Sequence, residues 1–125
     1  MTTRDSGASK NLLGIEETRN LMDVALGRAP ADLVIEDADV VNVYTGEVQS
    51  NLSICVKGER IAATTPDPSD VVGPETTVIS GAGRTVIPGL IDGHTHIAWL
   101  FTATAFAPYA LKGGTTTVVT ESKES

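Results

Sequence analysis

Three rhythms of apolar and polar positions follow one another along the chain. From Leu12 to Leu26 apolar residues stand at Leu12, Ile15, Met22, Ala25 and Leu26, which approximates one face of a helix. Glu16 and Glu17 suit the positive end of its dipole, Gly27 and Arg28 suit its end, and Pro30 stops it. The second rhythm is that of half-buried strands. Asp32 to Tyr44 is rich in β-branched residues and broken by Glu36, Asp37 and Asp39. After a turn at Thr45-Gly46-Glu47, Val48 to Val56 reads as a strand, Lys57-Gly58-Glu59 as a hairpin turn and Arg60 to Thr64 as its partner. A proline-containing loop, Thr65 to Asp70, leads to a short strand at Thr76 to Ser80, a turn at Gly81-Ala82-Gly83, and Arg84-Thr85-Val86. Strands joined by tight turns predict a small antiparallel sheet over residues 32–85.

The third rhythm is a nearly continuous apolar run, Val86-Ile87-Pro88-Gly89-Leu90-Ile91-Asp92-Gly93-His94-Thr95-His96-Ile97. Pro88-Gly89 breaks the chain before a short buried strand. In an extended strand residues i and i+2 share a face, so His94 and His96 project together. Two imidazoles held on one face are a metal-ligand pair or an ordinary histidine pair; the buried-strand context favours the metal. Asp92 either orients a ligand histidine or caps the turn at the strand end. Beyond, Thr102 to Lys112 is largely Ala, Phe, Leu and Tyr, and Pro108 fits the first turn of a helix better than its interior, so a short helix is placed at Pro108 to Lys112, with an earlier start left open, ended by Gly113-Gly114. Thr115 to Val119 is then a second strand, completing one strand-helix-strand unit with the usual parallel, right-handed crossover.

Composition narrows the possible partners. The 125 residues carry a formal net charge of -7, which repels nucleic acid and anionic membrane surfaces, and no run of Lys and Arg offsets it. Cys55 is the single cysteine, so no intrachain disulfide forms; it reads as a small buried apolar side chain, and the chain as cytoplasmic. No stretch approaches the roughly 20 apolar residues of a membrane span, and the polar, small residues Met1 to Asn11 read as a flexible tail. Gly81-Ala82-Gly83 is not followed by a helix, which argues against phosphate binding.

The string Ile87-Pro88-Gly89-Leu90-Ile91-Asp92-Gly93-His94-Thr95-His96 resembles the first-strand signature of the amidohydrolase superfamily, metal-dependent hydrolases and deaminases built on a (β/α)₈ barrel. Within it, Arg28 to Ile35, then Val41-Asn42-Val43-Tyr44-Thr45-Gly46-Glu47, then Gly114 to Val119 resemble the N-terminal part of bacterial and archaeal adenine deaminases. Two places depart from those deaminases: Ile97-Ala98-Trp99-Leu100 stands where Ile-Glu-Ser-Ser is common, and Glu121-Ser122-Lys123-Glu124 where a metal-site glutamate is expected.

The resemblance implies a mixed α/β fold: a helix and β-sandwich segment over 12–85, then the first βαβ part of a TIM-type barrel over 86–125. Such a barrel needs about 250 residues, so it is incomplete here, and a partner chain or a missing C-terminal region must supply the rest. It implies one or two divalent ions (zinc, iron or manganese) on His94 and His96, with Glu124 as a third ligand and proton carrier and Glu121 as the weaker candidate. Trp99 and Phe101 would pack over the barrel mouth or a subunit contact, with substrate stacking open to Trp99. The expected reaction is release of ammonia from a purine; a cyclic-amide hydrolase of the same superfamily is the alternative, and an oligomer is expected. A noncatalytic assembly subunit with a residual histidine pair is the competing class. With two confident ligands, the chain alone is expected to lack turnover.

Overall fold

The computed structural model describes residues 13–97 and 102–120 of the chain; the expected tail Met1 to Asn11 lies outside them. The molecule divides into two compact units, Met1–Val86 and Ile87–Ser125.

In the first unit, α1 spans Ile15–Ala25. It ends as its sequence demands: Gly27 takes φ 69°, the Gly27 N–H bonds to Val24 O at 3.0 Å and the Arg28 N–H to Asp23 O at 2.8 Å. This pair of bonds satisfies carbonyls the last turn would leave open, and only glycine enters that left-handed position without strain. The strands are β1 (Leu33–Asn42), β2 (Glu47–Lys57), β3 (Arg60–Thr65), β4 (Thr77–Ser80) and β5 (Thr85–Val86). They form one sheet in the order β3-β2-β1-β4, with β5 also on β1.

The sheet is mixed, which corrects the expectation of an antiparallel one. β1 with β2 and β2 with β3 are antiparallel, but β4 and β5 both run parallel to β1. The link after β3, which includes a 3-10 turn at Ser69–Val71, carries the chain back to the start of β1. There Ala31 N–H bonds to Val71 O at 2.8 Å and the Thr76 hydroxyl donates to Ala31 O at 2.7 Å. The chain therefore re-enters beside Leu33 in the same direction as β1. β4 pairs with Leu33–Glu36 and β5 with Asp39–Val40, as two halves of one interrupted strand. The break sits opposite Asp37, at φ 55°, where Gly81 N–H bonds to Glu36 O at 2.6 Å. A Cβ on Gly81 would lie 2.8 Å from both the Ala38 Cβ and Glu36 O, so this approach needs glycine.

The core of this unit is Val24, Ala31, Val34, Cys55 and Val71, which joins α1 to one face of the sheet. Cys55 is fully buried, and that burial raises its thiol pKa, so it packs as an apolar side chain.

In the second unit β6 (Leu90–Thr95) and β7 (Thr115–Thr120) are parallel neighbours, and α2 (Ala103–Lys112) lies between them in sequence. The helix begins earlier than Pro108: Thr102 caps it, its hydroxyl accepting the Ala105 N–H at 3.2 Å. Pro108 sits in the interior on an exposed face, where the backbone bond it forfeits is left to solvent. At the start of β6, Leu90 N–H bonds to Gly114 O at 2.8 Å. Gly89 is pressed against Thr116; an added Cβ would overlap that side chain and lie 2.7 Å from its Cβ. Apolar residues of both strands remain open, with Ile91 71% and Val119 56% exposed. Ile97 is the buried hydrophobic residue of this unit among the described residues.

Candidate metal centre

His94 is the second-last residue of strand β6, and His96 lies just beyond its end. Two residues of strand separate their backbones by about 6.6 Å, yet their Nε2 atoms lie 3.1 Å apart. The rings meet edge to face, with centroids 4.7 Å apart and planes at 89°. The two rings that the sequence placed together do meet, at their Nε2 atoms.

The donor set fits a borderline divalent ion. Imidazole nitrogens bind zinc at about 2.0–2.1 Å, so two nitrogens 3.1 Å apart are within the span that one ion bridges. Both histidines are exposed, which leaves room for further ligands. Among the described residues no cluster of three or more His, Cys, Asp and Glu forms around them. Glu121 and Glu124, the expected additional ligands, lie outside the described residues, as do Trp99 and Phe101. Thr120, the last described residue of β7, pairs with Thr95, so the chain leaves β7 beside the histidine end of β6.

Asp92 does what the sequence left open between two roles. Its Oδ1 accepts the backbone N–H of His94 at 3.1 Å. It holds the strand end through the main chain.

Functional side chains at the C-terminal ends of parallel strands are typical of α/β enzymes, and His94 and His96 stand at such an end. Two solved structures are similar to the chain. A prolidase complexed with N-methylphosphonate-L-proline matches 70% of this chain and 25% of its own at 25% identity, with TM-score 0.57. Phenylurea hydrolase B matches 70% of this chain and 24% of its own at 26% identity, with TM-score 0.56. Both are hydrolases of the amidohydrolase superfamily.

In sequence, the chain is similar to adenine deaminases. That of Rubrobacter xylanophilus is 49% identical over 102 residues, and adenine deaminase 3 of Rhizobium meliloti 43% over 105 residues. These alignments take in 81% and 83% of the chain, which spans 17% and 18% of the two relatives' lengths. No protein-family model matches the chain.

Proposed function

We propose that the chain is the N-terminal part of an adenine deaminase-like amidohydrolase, and that His94 and His96 bind its divalent metal. The observation that carries the reading is the 3.1 Å convergence of the two Nε2 atoms at the end of a parallel strand, in a chain homologous to adenine deaminases. Residues 12–85 are assigned to the β-sandwich segment and 86–125 to the first βαβ part of a TIM-type barrel. The parallel register of β6 and β7, and the exposed Ile91 and Val119 awaiting neighbours, support the barrel.

When bound, a divalent ion supplies a Lewis acid that lowers the pKa of water to about 7, making a nucleophile available at neutral pH. This chain's residues hold and orient. His94 and His96 present imidazole nitrogens from the end of β6, whose ladder with β7 holds the backbone as far as Thr95. Glu124 is assigned a third ligand position and the transfer of a proton to the leaving nitrogen; Glu121 is the second candidate. The overall change is addition of water at the purine carbon bearing the amino group, with loss of ammonia, so adenine gives hypoxanthine. The remaining ligands are assigned to the rest of the polypeptide or to a partner chain, in a cytoplasmic oligomer. No described helix is long and apolar enough to cross a membrane.

The test is turnover by the complete gene product carrying this chain, read as ammonia release from adenine and, separately, as ring opening of cyclic amides such as dihydropyrimidines. Release from adenine supports the assignment. Turnover of the cyclic amides alone moves the protein to the other hydrolase branch, and a protein inert to both contradicts the reading.

A further inference from the structure

We propose that Asp92 is a positioning residue for the histidine pair, acting through the backbone of His94; the inference rests on the metal reading above. The pairing of β6 with β7 is irregular at this point. Asp92 pairs with Val118 and Thr95 with Thr120, so β6 spends three steps where β7 spends two. The extra residue falls in Gly93-His94, a bulge at the end of the strand. A bulge takes backbone groups out of the ladder and re-aims the side chains that follow. A displaced main-chain donor needs another acceptor. The Asp92 carboxylate supplies one, with Oδ1 3.1 Å from the His94 nitrogen.

The consequence is visible in the rings. Side chains standing upright on a regular strand would keep their tips near the roughly 6.6 Å spacing of their Cα atoms. Here the tips close to 3.1 Å with the rings nearly perpendicular, and the bulge lies immediately before and within the pair. Asp92 is close in sequence to the ligands, but its described bond goes to the main chain. What it contributes is an acceptor at one position, a role an amide oxygen also fills.

The discriminating comparison is therefore Asp92→Asn against Asp92→Ala in the complete gene product. Zinc affinity is measured by chelator competition, and the absorption spectrum of the cobalt(II)-substituted protein reports ligand geometry. Loss of an outer partner of this kind weakens metal binding by about 10–100-fold. That loss and an altered cobalt spectrum are expected for Asp92→Ala, while Asp92→Asn stays close to wild type in both. An alanine variant with wild-type affinity and spectrum overturns the inference, as does an asparagine variant as weak as alanine, which would make the carboxylate's charge the active feature. Should the alanine variant be insoluble, Asp92→Ser, with a shorter acceptor, is expected to fall below asparagine; parity of the two overturns the inference. Failure of the underlying reading looks different: wild type itself then binds no zinc, or His94→Ala and His96→Ala bind it unchanged.

Discussion

Asp32 ties the start of β1 to the β2–β3 turn. Its Oδ1 accepts from Lys57 Nζ at 2.6 Å and its Oδ2 from the Gly58 N–H at 2.8 Å, while Lys57 also donates to Pro30 O at 3.2 Å. The Gly58 bond first, and then Lys57, lower the Asp32 pKa below its ordinary 3.8. A carboxylate lowered on folding stabilises the fold above its unfolded pKa and loses that contribution as pH falls through the folded value. The pair is partly exposed, so Asp32→Asn should cost about 1 kcal/mol or less at neutral pH. Thermal unfolding across an acid series should show wild type and variant converging below about pH 4; a constant gap at every pH would contradict this role. The sequence shows Asp32 beside a strand but not the turn it reaches, because that contact depends on the β1–β2 register. The histidine pair was easier to read, since a period of two places both rings whatever the strand pairs with. Asp92 was not decidable in advance, since a carboxylate two residues before a histidine reaches either ring or backbone.

At the scale of elements, hairpins were legible and parallel neighbours were not. Gly58 between two β-branched runs marks the β2–β3 turn locally. The direction of β4 is set at a distance, by the anchoring of Val71 and Thr76 on Ala31, which no local pattern announces. Likewise α2 runs through Pro108 because the residues before it are good helix formers, capped by Thr102. Two substitutions test the packing of these elements. Val34→Ala removes two methyls from a fully buried site joining β1 to α1 and should cost about 2 kcal/mol in chemical denaturation of the gene product. Gly89→Ala places a methyl on Thr116 at the entrance of β6 and should cost about 1–3 kcal/mol through overpacking. Because this contact precedes the ladder that carries His94, hydrogen exchange across residues 90–95 should rise in Gly89→Ala and not in Val34→Ala. Equal exchange in the two would mean that Gly89 does not govern the strand.

For the whole molecule, the proposed reading is that of one part of a larger enzyme. The chain spans 17% and 18% of the adenine deaminases compared above, and strands β6 and β7 leave Ile91 and Val119 uncovered. Two converging imidazoles are fewer than the three protein ligands usual for catalytic zinc. The 125-residue chain by itself should accordingly release no ammonia from adenine while the complete gene product does; measurable turnover by the short chain would contradict the assignment of ligands to later segments. The histidine motif was legible at this scale, because a short strand encodes it. Ligands that other strands would contribute depend on tertiary closure and leave no mark in these residues. The most direct measurement is the metal content of the purified complete gene product, wild type beside a His94→Ala, His96→Ala double variant, by elemental analysis. Stoichiometric zinc, iron or manganese in wild type and its loss in the folded double variant is the predicted result. Metal retained in full by the double variant, or absent from wild type prepared without chelator, would contradict the account.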